Sequence, residues 1–174
     1  MKTFSTLIIY AVLSCLTQMN LAVAQDNVAD VLKCVSSQDL TVNGIGLLST
    51  LQEVETIYGK PLAVESVKNS KRGNGNYYYY KSIKILSFGG IWKIEFIDGK
   101  AVTKSGLRLA MSTDEIHQYT GITLTKKYLY SGDSSYQIPI CWNASAVADL
   151  ERAIFMKLDE NDKVIELSIK YLMP

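Results

Sequence analysis

The stretch STLQEVETIYG at residues 49–59 has a counterpart, MSTDEIHQYTG, 62 positions further on at 111–121. In each, a hydroxyl residue precedes a glutamate by three positions, Thr50 before Glu53 and Ser112 before Glu115. That is the spacing of a capping box, in which the hydroxyl accepts from the third helical N–H and the carboxylate reaches back to the cap. Apolar residues then recur at helical intervals, Leu51, Val54 and Ile57 in the first stretch, Ile116 and Tyr119 in the second. Gly59 and Gly121 follow, the residue type that most readily ends a helix. Upstream at the same offset, GIGL (44–47) matches GLRL (106–109), and downstream IWKIEFIDGKAV (91–102) matches AIFMKLDENDKVI (153–165) after one insertion. Cap, apolar phase and stop in one register predict a duplicated α+β unit. The expectation is two tandem helix-plus-antiparallel-sheet repeats, over 44–105 and 106–174, with an N-terminal helix and linker over 25–43.

Strand patterns complete the expected unit. IWKIEFI alternates Trp92, Ile94 and Phe96 against Lys93 and Glu95, and Asp98-Gly99 reads as a hairpin turn returning through KAVTK. YYYYKSIKIL (77–86) reads as one strand, and YQIPICW (136–142) as another, where Pro139 points to an edge. AIFMKL and VIELSIKYL flank a turn over Asp159–Asp162. Residues 63–76 end in a basic, Gly/Asn-rich stretch expected to be an exposed, mobile loop, and SAVADLERAI (145–154) has the propensity of a short helix. Residues 27–36 form the expected N-terminal helix, with Val28, Val31, Leu32 and Val35 on one side.

A capped helix closing on Tyr-Gly-Lys-Pro (58–61), tyrosine-rich strands and the FIDGKAV segment (96–102) resemble a known superfamily. It comprises the β-lactamase inhibitory protein group and the small outer-membrane-assembly lipoproteins. The resemblance implies tandem helix-plus-sheet repeats and a non-enzymatic binding protein of a bacterial envelope or the extracellular space. No inhibitory loop or assembly-contact residue matches position by position, so none is carried over.

The N-terminus reads as a signal peptide over 1–24: Lys2, the apolar run LIIYAVLSCL, and a small-x-small site at Ala22-Val23-Ala24. Cleavage after Ala24 would leave a periplasmic or secreted chain. The alternative is a lipoprotein anchored at Cys15, although the segment beyond Cys15 stays apolar where a polar tether is usual. The whole chain carries 18 basic and 17 acidic side chains, and loss of Lys2 brings the two into balance. Nucleic-acid binding usually leaves a basic footprint, which is missing here. Past residue 24 no apolar run is long enough for a membrane span. Of the two cysteines left, Cys34 and Cys141, an even pair suits one disulfide in an oxidising compartment. Two separate buried thiols are the other reading.

The search for chemistry yields no catalytic, cofactor or metal site. His117 is the only histidine, and no nucleophile elbow accompanies it. DENDK (159–163) lacks the glycine and the distal glutamate of a calcium loop. RGNGN (72–76) is not followed by a phosphate-binding helix. The paired carboxylates sit at helix starts, where negative charge is stabilised. The sequon at Asn143 matters only along a glycosylating route. Aromatic residues are the excess, above all Tyr77 to Tyr80. Counted as one strand with Ile83 and Ile85 inward, that run turns Tyr77 and Tyr79 to the core and Tyr78 and Tyr80 outward. Tyr78, Tyr80, Lys71, Arg72 and Trp142 are therefore the expected partner-binding residues. The expected function is a non-enzymatic protein-binding module of inhibitor, immunity or envelope-assembly type. The alternative is a small-ligand or glycan binder using the same aromatics.

Overall fold

The computed structural model describes residues 34–69, 71–125, 135–142 and 147–172. The expected signal peptide, residues 27–33 of the expected N-terminal helix and the Asn143 sequon lie outside them. In chain order the elements are β1 (Val35–Ser36), a 3-10 turn (Ser37–Leu40), β2 (Thr41–Val42), β3 (Ile45–Gly46) and α1 (Leu51–Tyr58). There follow β4 (Ala63–Asn69), β5 (Gly73–Tyr79), β6 (Ile83–Ser87), β7 (Ile91–Phe96) and α2 (Thr113–Thr120). The last three are β8 (Tyr136–Trp142), β9 (Val147–Leu158) and β10 (Val164–Tyr171). Seven strands form one antiparallel sheet in the order β8-β9-β10-β7-β6-β5-β4, and β1 adds in parallel to β8.

The fold is thus mostly β, which overturns the expected α+β architecture of balanced helix-plus-sheet repeats. The two halves diverge at the turn after the matched strands. After β9 the chain reverses at Asp159 and returns as β10, paired along its length. After β7 it leaves the sheet instead: Asp98 accepts from the Lys100 N–H, and Thr103 bridges only to Val42. KAVTK is therefore not the expected return strand. Residues 35–36, expected as the end of a helix, are a strand on β8.

Two further expectations fail because pairing overrides local composition. Residues 147–158, expected to begin as a helix, form a strand hydrogen-bonded to β8 on one side and β10 on the other. The basic, Gly/Asn-rich end of residues 63–76, expected as an exposed, mobile loop, is the turn and second strand of a hairpin of β4 and β5. Asn69 makes its turn by accepting from the N–H groups of Lys71 and Arg72 at 2.9 and 3.1 Å. Gly75 lies directly beneath the Phe88 ring, where any side chain would collide with the ring and with the Ser87 carbonyl. An aromatic ring over a strand glycine supplies the packing that the glycine lacks.

One cross-strand row organises the core. Tyr78, Ile85, Ile94, Ile169, Ile154 and Ile138 stand opposite one another across six strands. The five isoleucines are fully buried, each stabilising the fold by roughly 1.5–3 kcal/mol relative to exposure. Val54 of α1 and Ile116 of α2 join the same buried cluster. Each is the one buried residue of its helix. The apolar stripe is therefore narrower than the sequence suggests: Ile57 and Tyr119 are about half exposed, at 52% and 50%. Tyr119 lies against Gly106, whose φ of +92° and crowded Cβ position both require glycine.

Both helices carry the expected reciprocal capping box. The Thr50 N–H donates to Glu53 at 2.7 Å and the Ser112 N–H to Glu115 at 2.9 Å. These backbone hydrogen bonds lead the causes that hold both carboxyls below the usual glutamate range. A carboxyl whose pKa falls on folding stabilises the fold above its unfolded pKa, and that stability is lost as pH falls through the folded value. Glu53→Gln and Glu115→Gln together should flatten the acid limb of a plot of melting temperature against pH. An unchanged acid limb would show that the boxes carry none of the pH dependence.

Cys34 and Cys141 form a disulfide, with Cα atoms 5.5 Å apart across a sequence separation of 107. Beside it, Val35 pairs with Ile140 and Ser36 with Cys141. Closing so long a loop constrains the unfolded chain by about 4–5 kcal/mol at most. Urea unfolding with and without dithiothreitol should show a lower midpoint for the reduced chain. Equal midpoints would mean that β1 is held by its non-covalent contacts alone.

Candidate functional site

The hairpin between β5 and β6 decides which tyrosines face outward. Residues 80–83 are a tight turn closed by the Tyr80 N–H donating to the Ile83 carbonyl at 2.9 Å. Residues 77–86 are consequently two strands, and alternation counted through the turn assigns the tyrosines to the wrong faces. Tyr78 pairs with Ile85 and packs against the core. Tyr80 is 2% exposed, with its ring 5.9 Å from that of Tyr58 on α1. Tyr77 and Tyr79 stand on the opposite face of the sheet, paired with Leu86 and Lys84.

That face is an aromatic and cationic lattice. The Lys84 ammonium lies 4.0 Å from the Tyr77 ring centre and 5.2 Å from that of Tyr79, an attraction to the negative faces of both rings. Glu95 fixes it from β7, 3.4 Å from the Lys84 ammonium and 2.5 Å from that of Lys93. The Tyr79 hydroxyl donates to Glu65 on β4 at 2.7 Å. This bond to a carboxylate is the leading cause raising the Tyr79 pKa. Burial lowers the Lys84 pKa, but the Glu95 carboxylate and the two tyrosines outweigh it and the net direction is upward. Lys84 therefore stays charged while its position is fixed from three sides.

At the end of the sheet the Arg72 guanidinium carbon lies over Trp92, 3.4 Å from the ring centre. Trp92 in turn packs on Tyr171, with ring centres 5.0 Å apart. Trp92 is placed there by an irregularity in the β6–β7 pairing between Leu86 and Ser87, the kind of bulge that re-aims a side chain. Behind the Trp92–Tyr171 pair, on the helix side, a hollow of about 690 Å³ runs beneath Leu48 and Leu51 to Tyr78 and Ile91. Leu48 is 80% exposed at its rim.

Of the expected partner-binding residues, Tyr78 and Tyr80 are turned inward, and Tyr80 is not accessible. Lys71 is exposed in the β4–β5 turn, and Arg72 is partly covered and stacked as described. Trp142 pairs with Val147 at the end of β8, and its side chain lies outside the described residues. Sequence reasoning missed Tyr77, Tyr79, Lys84 and Trp92. The signal that would have found Tyr77, Tyr79 and Lys84 is Lys81-Ser82, a polar break that ends the alternation begun at Gly75. Among the described residues no group of three or more His, Cys, Asp or Glu is placed to hold a metal ion. No helix among them is long and apolar enough to cross a membrane. His117 is exposed, with Nδ1 3.1 Å from the Thr123 hydroxyl.

Comparison with protein-family models, curated proteins and solved structures finds no match to this chain in any of the three.

The inward position of Tyr80 has a direct test. Its hydroxyl is buried without a hydrogen-bond partner, and burial is the leading cause raising its pKa. An unpaired buried hydroxyl costs about 1–3 kcal/mol. Tyr80→Phe should therefore raise the melting temperature or leave it unchanged, and Tyr80→Ser should lower it sharply. A Tyr80→Phe variant that melts several degrees lower would show that the hydroxyl has a partner in solution.

Proposed function

We propose that the protein is an exported, non-enzymatic module that binds another protein through the open face of strands β4 to β7. One observation carries the reading: Tyr77, Tyr79 and Lys84 are locked in place on the face of the sheet opposite the core. Rigid tyrosines offer large contact area at small entropic cost, and such residues dominate binding energy at interfaces. A purely structural role for this lattice would call for apolar cover, whereas its charged and phenolic tips remain partly exposed. Export rests on the N-terminal signal pattern, with cleavage near Ala24 and a periplasmic or secreted destination. The Cys34–Cys141 disulfide is in keeping with an oxidising compartment. The balance of charge means that recognition depends on short-range contacts more than on long-range steering.

The experiment is capture from an envelope or extracellular extract by the immobilised chain, compared with a Tyr77→Ser/Tyr79→Ser variant. The double variant should lose a specifically retained protein, with affinity falling by about 2 kcal/mol or more, or roughly thirtyfold. Its melting temperature should stay within a few degrees of the parent. Equal capture by parent and variant would refute the assignment of this face.

The hollow of about 690 Å³ favours a second reading, a small-ligand site, because its size falls within the range of such pockets. Thermal shifts across a panel of glycans and lipids would separate it from the first. Stabilisation that survives the Tyr77/Tyr79 substitution but is lost in Leu48→Asp would favour the hollow.

A further inference from the structure

Next to the tyrosine lattice, on the same side of the sheet, lies a second and smaller recess of about 250 Å³. Its walls are apolar and aromatic, with Tyr77, Leu86, Trp92 and Tyr171 among them, and none of its lining residues is acidic. Its charges are cationic. Lys93 shares the Glu95 carboxylate with Lys84, and Lys170 rests on the Phe155 ring. Lys68 and Arg72 have no carboxylate partner among the described residues.

The state of Arg72 is what gives the recess a purpose. Asn69 accepts its backbone N–H at 3.1 Å, so the turn fixes where the side chain starts. The guanidinium carbon then sits 3.4 Å from the Trp92 ring centre, too close for an edge-on approach. Stacking uses the face of the group and leaves its N–H donors pointing outward in the plane. An arginine in this position has already lost most of its rotamer freedom, yet its fork is unpaired among the described residues. The best partner for such a fork is a carboxylate taken by two parallel hydrogen bonds. The walls next to it would cover an apolar or aromatic group attached to that carboxylate. The volume is below the roughly 300–1,000 Å³ of sites for whole small molecules, so it suits one side chain and its neighbour.

We propose that the Arg72–Trp92 recess receives an acidic side chain flanked by an apolar one, presented by an exposed segment of a protein partner. This rests on the protein-binding reading above and adds the chemistry of the partner. Arg72 and Lys68 bind the carboxylate, and Trp92, Tyr171 and Leu86 cover the flanking group. Lysine in place of Arg72 keeps the charge but loses both the stack and the fork.

The test is calorimetric titration of the full mature chain with N-acetyl-Phe-Asp-Phe-amide and with its Asn counterpart. The Asp peptide should bind saturably, and the Asn peptide should bind about tenfold more weakly or worse. Arg72→Gln should erase the difference between the peptides and Arg72→Lys should not restore it. Lys68→Gln should reduce the difference in part. Raising the salt to about 0.5 M should weaken the Asp peptide more than the Asn peptide. Equal binding of the two peptides, or a carboxylate preference that survives Arg72→Gln, would overturn the proposal. Binding of phenylacetate as tight as that of the Asp peptide would also overturn it, by assigning the recess to a free acid. Capture through Tyr77 and Tyr79 is measured separately, so failure of one reading is distinguishable from failure of the other.

Discussion

Three residue pairs between β7 and β10 hold the molecule together: Ile94 with Ile169, Glu95 with Ser168, and Lys93 with Lys170. On one side of this seam lies the meander of β4 to β7, on the other the meander of β8 to β10. Each alone would present half of the isoleucine row to water. Joined, they make a surface that α1, α2 and the loops between them can cover. The seam is not wholly favourable, since Lys93 and Lys170 are like charges directly opposite, an arrangement that destabilises a strand pair. Two neighbours answer it: Glu95 takes the Lys93 charge, and the Lys170 ammonium rests 3.7 Å from the centre of the Phe155 ring. The lattice on the open face thus begins as a remedy for the pairing on which the core depends.

What was legible in the sequence was local. Thr50, Glu53, Ser112 and Glu115 announce two helix starts because a capping box closes within four residues, whatever the rest of the chain does. The disulfide was readable as one of two options from the cysteine count. The architecture was not readable, because it turns on whether a strand finds a partner. FIDGKAV and KLDENDKVI look alike as hairpin turns, yet only the second returns to a strand that pairs. Residues 147–154 have helical composition and became a strand between two others.

The same distinction explains the candidate site. Face alternation is reliable only within one strand, and a turn resets it. Counted from Gly75, which is buried under Phe88, the outward residues are Tyr77 and Tyr79. Counted backward from Ile83 through the turn, they come out as Tyr78 and Tyr80. Trp92 was hidden for a different reason: a bulge places it against Arg72, and an irregular pairing leaves no mark in the alternation of the strand itself. Arg72 is among the expected partner-binding residues, but the sequence marks it only as part of a basic stretch. Its importance comes from the ring beneath it, contributed by a strand twenty residues away in the sequence.

The bond between Cys34 and Cys141 also imposes a schedule on a newly made chain. Synthesis delivers the N-terminus first, and β1 has no place to go until β8 exists. All of β4 to β7 arrives in the interval and can pair as a meander without waiting for it. Throughout that interval Cys141 has yet to be made, and the Cys34 sulfur is open to exchange with any disulfide that it meets. Its correct partner lies 107 residues further along the chain. A carrier that protects Cys34 as a mixed disulfide, then surrenders it to Cys141, would suit this order of events better than rapid indiscriminate oxidation. The oxidising machinery that a chain encounters is thereby part of what its topology demands.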